Sequence, residues 1–315
     1  MIDFISATKC MNKDSPNLSN CKWISTNKSG WERLELMGHK PMKVLWHPDN
    51  GLLKIEGSIP YFVQGHNFTF DKCGFIDGIN HLQSLLDVEL WDAYLNEFEH
   101  GVIIQVEGKP SDYIKYHSAL KPSKLKECIN GNNKGEGKWW EGGTINLKMY
   151  NPKANFHHKV GLKQRTDIAG YNPSMNYLKF EAHYNKPHLL NGGRGLIVED
   201  LQKDEKLSML DSMLLTQYHQ LEPMKTLLKP NDKGELKYQA LITMKLVEVL
   251  LNQGFTISQA QKEVYRFMDE FKCLSKPDKD KRKQTARKVF KSLQVSEQSE
   301  WDLTEKLEEA LVLEQ

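Results

Sequence analysis

Hydrophobic and polar residues alternate with period two in three separate segments of the chain. These segments are Leu95–Glu107, Thr144–Tyr150 and Tyr177–Tyr184. Such alternation is typical of a β-strand that buries one of its faces. Met42–Ile59 is predicted to form a hairpin, because two apolar runs flank the turn sequence Pro-Asp-Asn-Gly. Residues 1–40 show no comparable pattern, and we expect them to be irregular or weakly structured.

Apolar residues follow helical spacing in Phe75–Leu90 and in most of the chain after about residue 196. The later helical segments include Ala240–Leu251, Ile257–Phe271 and Ala286–Leu293. Strands joined by hairpins, with helices following them, favour an α+β fold whose sheet is largely antiparallel. We therefore predict a β-rich domain over residues 1–195 and a helical region over residues 196–315.

The composition argues against several classes of protein. Charged residues make up 27% of the 315 residues, and no apolar run approaches the roughly 18 residues that span a bilayer. The first residues show no basic segment followed by an apolar run, so we predict no secretory signal. The five cysteines are scattered and form no Cys-x-x-Cys pair. This cysteine usage argues against a zinc cluster and suits a reducing cytoplasm. Because no apolar run is long enough to span a bilayer, we also expect no membrane partner.

The charges are distributed unevenly along the chain. Residues 121–165 contain ten lysines and arginines against three glutamates, and residues 272–291 contain nine against two aspartates. Residues 292–315 contain seven acidic residues against one lysine. Two basic blocks followed by an acidic tail indicate a protein that handles a polyanion. Two solvated surface segments would explain the same pattern.

Familiar catalytic and metal-binding motifs do not occur in the sequence. It contains no His-Glu-x-x-His, Gly-x-Ser-x-Gly or EF-hand pattern, and no His-x-His pair. The glycine-rich segment Gly131–Trp139 lacks the Ser/Thr and the glycine spacing of a phosphate-binding loop. These absences argue against a P-loop NTPase. They also mean that the usual histidine signature of rolling-circle nickases is missing.

The polar faces of the three predicted strands carry groups that suit phosphoryl transfer. The groups are Glu97 and Glu99, then Lys148 and Tyr150, then Lys179, Glu181 and His183. Carboxylates with an imidazole suit Mg²⁺ or Mn²⁺, which polarises a phosphodiester oxygen. A tyrosine can then attack phosphorus while lysines offset the developing charge. A half-solvated antiparallel sheet would also carry polar residues at these positions.

Four segments, Met1–Asp3, Phe62–Phe68, Leu147–Lys153 and Leu178–Ala182, occur in the same order as similar segments of one known family. They resemble the replication initiators of filamentous phages, the gene II/X type proteins that nick DNA for rolling-circle replication, and related phage and plasmid initiators. Phe62–Phe68 contains Gln-Gly-His-Asn, which is similar to a segment of that family. Leu147–Lys153 is similar to its strand that ends in Tyr with a Lys close behind, and Leu178–Ala182 to its hydrophobic-Arg-Phe-Glu-hydrophobic strand. The resemblance covers residues 44–200. The family places its lysine two residues after the tyrosine, whereas Lys153 is the third residue after Tyr150.

The resemblance implies a metal-dependent, site-specific DNA endonuclease and strand transferase. Tyr150 would attack the scissile phosphate and become joined to the 5′ phosphate, with Lys153 or Lys148 stabilising the phosphate. The residues implied to hold Mg²⁺ or Mn²⁺ are Glu99, Glu181 and His66. The residues expected to hold single-stranded DNA are Lys121, Lys124, Lys126, Lys134, Lys138, Trp139 and Trp140. The expected setting is the cytoplasm of a bacterial host, with a host replication helicase or polymerase as a further partner.

Several alternatives remain open from the sequence. Tyr113 or Tyr116, in a predicted helix beginning near Ser111, is a rival nucleophile, although a solvated amphipathic helix explains both residues. His66 has turn residues on either side, so it would also serve as part of a turn. The same chemistry would suit a mobilisation relaxase or a single-strand transposase. A DNA-binding replication protein without catalysis is a third possibility.

Overall fold

The computed structural model describes residues 1–11, 15–120, 124–127, 137–153, 168–223, 225–228, 238–292, 294–297 and 302–313. The chain forms two compact units. The first unit comprises Met1–Ile114, Pro122–Gln220 and Leu303–Gln315, and the second comprises Lys115–Lys121 and Leu221–Asp302.

A ten-stranded sheet, in which every neighbouring pair is antiparallel, dominates the first unit. Its strands are β1 (Ile2–Cys10), β2 (Cys21–Thr26), β3 (Glu32–Leu36), β4 (Met42–His47), β5 (Leu52–Ser58), β6 (Tyr94–Val106), β8 (Lys124–Glu127), β9 (Gly137–Glu141), β10 (Ile145–Tyr150) and β11 (Asn176–Tyr184). They lie in the order β2-β3-β4-β5-β1-β6-β11-β10-β9-β8. The second unit has the two-stranded sheets β7 (His117–Leu120) with β12 (Leu221–Pro223), and β13 (Lys225–Leu228) with β14 (Gln294–Glu297).

The described residues also form eight α-helices. They are α1 (Ile59–Val63), α2 (Lys72–Leu86), α3 (Pro110–Tyr116), α4 (Asp204–His219), α5 (Tyr238–Asn252), α6 (Ile257–Glu270), α7 (Lys276–Ser292) and α8 (Thr304–Leu313). Three short 3-10 helices lie at Pro48–Asn50, Pro187–Asn191 and Val198–Gln202. None of the helices in this described part combines the length and apolar character that a membrane crossing requires.

The sheet of the first unit packs one face against helices α4 and α8. Phe180 on β11 contacts the ring of Tyr218 on α4 with 5.6 Å between ring centroids. Leu303, Leu307 and Leu311 recur at helical spacing and are all buried, so the acidic last helix is held by its apolar stripe. Each fully buried leucine or phenylalanine of this layer contributes roughly 1.5–3 kcal/mol.

Helices α5, α6 and α7 pack against one another in the second unit. Their shared core includes Val247, Leu251, Ala260, Val264 and Ala286. Thr256 begins α6 with a capping box, in which its hydroxyl accepts from the Gln259 backbone and the Gln259 side chain accepts in return.

The predicted α+β class with an antiparallel sheet is confirmed, whereas two details of the prediction differ from the structure. Residues 1–40 are not irregular, because they contain β1, β2 and β3. The two units do not divide at residue 195, since Val198–Gln202, α4 and α8 all belong with the sheet. The reason is packing: these later helices cover the apolar face that the central strands would otherwise expose.

Candidate functional site

The register of the central strands brings the predicted polar residues to one face of the sheet. Strands β6, β11 and β10 are consecutive neighbours, and their side chains on this face lie opposite one another. The opposed pairs are Tyr150 with Lys179, Lys148 with Glu181, and His183 with Glu99. We call this face, defined by these six residues, the polar face.

A β-bulge in the first strand adds Asp3 to the polar face. Ile2 lies opposite His100 and Phe4 lies opposite Glu99, so Asp3 is the extra residue of β1 between two successive partners. A bulge re-aims side chains out of strict alternation. Asp3 therefore reaches the polar face although Ile2 and His100 belong to the other face.

Asp3, Glu99 and Glu181 form a cluster of three carboxylates. Each offers an oxygen, and the three oxygens lie within 4.8 Å of one another. Carboxylate oxygens are the ligands that Mg²⁺ and Mn²⁺ prefer, so the chemistry of the donor set fits such an ion. Asn67 donates to Asp3 from Nδ2 at 3.0 Å, and the Ser58 hydroxyl donates to the other oxygen of Asp3. These neutral donors hold Asp3 in its orientation.

Lys179 is the most deeply buried charge of the polar face, with 0% of its surface exposed. Its ammonium group donates to Asp3 and, at 2.6 Å, to Oε2 of Glu181. Burial on its own lowers the pKa of Lys179, but the two carboxylates outweigh it and hold that pKa well above its usual range. For Asp3, burial on its own raises the pKa, but the charge of Lys179 and its hydrogen bond outweigh burial and lower that pKa to about 2. Lys179 and Asp3 are therefore both charged at neutral pH.

Lys148 lies at the more open side of the carboxylate cluster. It donates to Glu99, lies 3.5 Å from Oε1 of Glu181, and sits 4.9 Å from the centroid of the Trp139 ring. Burial lowers the pKa of Lys148, yet Glu181 and Glu99 raise it to a net value above its usual range. Lys148 is thus a second cation that neutralises the cluster, held on one side by an aromatic ring.

The Tyr150 hydroxyl donates to Oε2 of Glu181 at 3.3 Å. Burial, followed by the negative charge of Glu181, raises the pKa of Tyr150 well above its ordinary value. Burial also raises the pKa of Glu181, and the neighbouring Glu99 adds to this against the opposing effect of Lys179. The tyrosine is consequently protonated at neutral pH, and the carboxylate beside it is more basic than an ordinary glutamate.

His183 connects two acidic residues of β6 at the edge of the site. Its Nδ1 lies 3.0 Å from Oε1 of Glu99, and its Nε2 lies 3.4 Å from Oε2 of Glu97. Burial raises the pKa of Glu99, but its bond with His183 and the charge of Lys148 lower it overall. The imidazole therefore orients the Glu99 carboxylate, as groups that hydrogen-bond to metal ligands commonly do.

Two residues that the resemblance implied lie elsewhere. His66 is outside the carboxylate cluster; it follows α1, where Nε2 of Gln64 lies 3.4 Å from its Nδ1 and donates to its carbonyl oxygen at 3.0 Å. Its neighbour Asn67 contacts Asp3 instead. Lys153 donates to the carbonyl oxygens of Pro173 at 2.6 Å and Met175 at 3.0 Å. The Pro152 turn directs Lys153 to that loop, so Lys179 rather than Lys153 accompanies Tyr150.

The expected DNA-binding residues divide into three groups. Lys121 and Lys134 lie outside the described residues, and Lys124 and Lys126 belong to β8, which is described by its backbone alone. Trp139 and Trp140 point to opposite faces of β9. Trp140 is 0% exposed, opposite Leu147 on the helix-covered face, so it offers no surface on which a base stacks. Lys138 lies on the same face as Trp140.

The rival tyrosines do not lie on a solvated helix face. Tyr113 and Tyr116 are both buried within α3, with 4% and 8% of their surfaces exposed. Their burial gives both residues a packing role, so amphipathic spacing reflects core contacts rather than a reactive surface.

Asp3 and Gly101 are site residues that the sequence interpretation did not assign to the site, and it named Lys179 on a polar strand face without giving it a role. A side chain on Gly101 would place its Cβ 2.4 Å from Cβ of Glu181 and 2.5 Å from the Phe180 carbonyl oxygen. Gly101 therefore leaves the space that Glu181 occupies. Its position inside a strand was the available signal, since glycine within a strand marks a close approach.

Comparison with models of known protein families gave no match for this chain, and comparison with curated proteins gave none either.

Proposed function

We propose that the chain is a replication initiator that nicks one DNA strand at an origin through a covalent tyrosine-5′-phosphate and so begins rolling-circle replication. The observation that supports it most is the bond between the Tyr150 hydroxyl and Glu181, one of three clustered carboxylates. A nucleophile, a proton acceptor and oxygen ligands for a cation thus share one surface. The proposed setting is the cytoplasm of a bacterial host, with DNA as substrate and a host helicase or polymerase as partner.

The proposed reaction follows from these residues. The Tyr150 oxygen forms a bond to phosphorus, and the bond from phosphorus to the 3′ oxygen of the preceding nucleotide breaks. The tyrosyl proton passes to Oε2 of Glu181, the oxygen that the Tyr150 hydroxyl already contacts. The released 3′ oxygen takes a proton from solvent and becomes a primer end. Asp3, Glu99 and Glu181 would hold a divalent ion, which supplies polarisation of a phosphodiester oxygen.

Charge compensation gives each lysine a task in this scheme. Lys179 is fully buried, and from the protein interior it neutralises the negative charges of Asp3 and Glu181. Lys148 has 18% of its side chain exposed and contacts Glu99 and Glu181. Its ammonium group lies at the more open side of the cluster, where it would offset charge on the phosphate.

A non-catalytic DNA-binding protein is the second candidate, and one observation favours it. Lys148 and Lys179 already pair with all three carboxylates, as in a closed structural ion-pair network. A buried network of this kind is not by itself evidence of catalysis. The two candidates differ in whether the cluster binds a cation and whether Tyr150 reacts.

The test is adduct formation with single-stranded oligonucleotides tiled across the replicon that encodes the chain. With Mn²⁺ or Mg²⁺, the wild type is expected to give a covalent protein–DNA band that resists denaturant and disappears with a chelator. Tyr150→Phe should abolish the band, and Tyr113→Phe serves as the matched tyrosine control.

The outcomes separate the candidates. DNA binding without an adduct in any tiled oligonucleotide would support the non-catalytic protein. An adduct that still forms with Tyr150→Phe would mean that the protein is a nickase whose nucleophile is another residue. An adduct made only with sequences from a transfer origin or an element end would identify a relaxase or a transposase.

A further inference from the structure

The second unit has an apolar groove that opens beside its own core. The groove has a volume of about 380 Å³ and is walled by α5, by the end of α6 with the residues after it, and by α7. Ile242, Phe267 and Phe271 line it, with 51%, 51% and 41% of their surfaces exposed. Exposed apolar surface of this kind marks an interaction site when it is contiguous.

The exposed apolar residues are concentrated at this part of the molecule. Of the eleven large hydrophobic residues that are exposed in the described chain, six belong to α5, α6 and the position after α6. Those six are Leu241, Ile242, Val249, Ile257, Phe267 and Phe271. Phe267 and Phe271 contact each other edge to face, with ring centroids 4.9 Å apart. The two rings therefore present one apolar surface rather than two scattered side chains.

One charged side chain lines the groove, and it is a cation. Arg282 is the one charged residue among those that line the groove, and no hydrogen bond or ion pair joins its side chain to another described residue. Arg282 lies on α7, which carries eight lysines and arginines against two aspartates. Cationic neighbours Lys279 and Lys283 are occupied by Asp269, whereas Arg282 remains available. A ligand that fills the groove consequently meets the positive charge of Arg282.

We propose that this groove docks an acidic amphipathic helix of a partner protein. Its walls are helices, so a docking helix packs by the same ridge-and-groove rules that join the three helices to one another. The leucines of the partner would cover Phe267 and Phe271, and a carboxylate would pair with Arg282. The acidic helix α8 of this chain does not supply the ligand, since its leucine stripe is buried in the first unit.

The experiment uses the full chain and two synthetic helical peptides of about 18 residues, roughly five turns. Both carry leucines along one face; one carries glutamates elsewhere and the other carries lysines. Fluorescence anisotropy is expected to give a Kd in the micromolar range for the acidic peptide. The basic peptide should bind at least about tenfold more weakly.

Two substitutions test the residues that carry the inference. Arg282→Glu should weaken the acidic peptide about tenfold, whereas Lys291→Glu, at an exposed position of the same helix outside the groove, should change it less than about twofold. Phe267→Gln should also abolish binding, and because Phe267 is exposed the fold should persist by circular dichroism.

Three results of the peptide experiments would overturn the inference. They are equal binding of both peptides, unchanged binding by Arg282→Glu, and no binding at peptide concentrations far above micromolar. Concentration-dependent dimers of the chain that Phe267→Gln abolishes would show that a second copy occupies the groove, which also contradicts it. None of these results depends on nicking, so they are independent of the adduct test.

Discussion

Glu99 and His100 are neighbours on β6 and lie on opposite faces of the sheet. The two faces differ in how many polar groups they bury and in how these groups are paired. On the helix-covered face, His100 makes one bond, from Nε2 to Oδ1 of Asp211 at 2.8 Å. On the polar face, Glu99 belongs to a network with Asp3, Glu181, Lys148 and Lys179. The His100–Asp211 pair adds a polar contact to apolar ones such as Phe180 with Tyr218. Clusters of charges with shifted pKa values occur preferentially at functional sites, and the five charges of the polar face form such a cluster.

Removing Lys179 is expected to cause the largest loss of stability. Lys179→Met would leave Asp3 and Glu181 as buried carboxylates without their cation, which costs about 3–5 kcal/mol. Urea denaturation measures the loss, with the exposed Lys22→Met as the control. Mn²⁺ should restore more stability to Lys179→Met than to the wild type, because the ion replaces the missing charge. A loss below about 1 kcal/mol would mean that the network does not hold the sheet together.

His100 is expected to make stability depend on pH in a defined window. Burial, which outweighs the bond to Asp211, lowers the pKa of His100 from 6.5 to about 4. The folded protein therefore binds the proton less readily than the unfolded chain, so stability is full above pH 6.5 and falls as the pH drops toward 4. The difference corresponds to about 3 kcal/mol.

The wild type should be compared with His100→Gln across that window, because the raised pKa of Glu181 acts in the opposite direction in both proteins. Only the difference between the two denaturation curves reports His100. Parallel curves from pH 7 to 4 would contradict a neutral buried histidine. Asp3 does not interfere, since its pKa of about 2 places its loss of stability at lower pH.

Gly101→Ala should have an intermediate effect that falls on the polar face. The new methyl group would meet Glu181 and the Phe180 carbonyl, so β6 and β11 must separate locally. Overpacking of this kind costs roughly 1–3 kcal/mol. Adduct formation should fall more than stability does, because Glu181 moves from Tyr150. Gly143→Ala is the matched control, as a side chain there meets no atom within 4 Å. Equal effects of the two substitutions would contradict the close approach at Gly101.

The sequence predicted the strands of the polar face better than it predicted the members of the site. Alternation in β6, β10 and β11 identifies which residues share a face, and the antiparallel register then brings Tyr150, Lys148, Glu181 and Glu99 together. Asp3 was not predicted as a site residue because a bulge breaks the alternation that would reveal it. Lys153 follows a proline turn, whose direction depends on contacts with distant carbonyl groups rather than on local spacing.

Trp139→Leu should give the smallest change and compare the two faces directly. Trp139 contacts Lys148 on the polar face, and losing this cation–π contact costs roughly 0.5–1 kcal/mol. Trp140→Leu, one residue later, empties space in the fully buried helix-covered face and should cost several times more. A double-mutant cycle with Lys148→Met measures the contact itself: the effect of Trp139→Leu should vanish once Lys148 is gone. If it persists, Trp139 acts through packing, and Lys148 is held by its carboxylates alone.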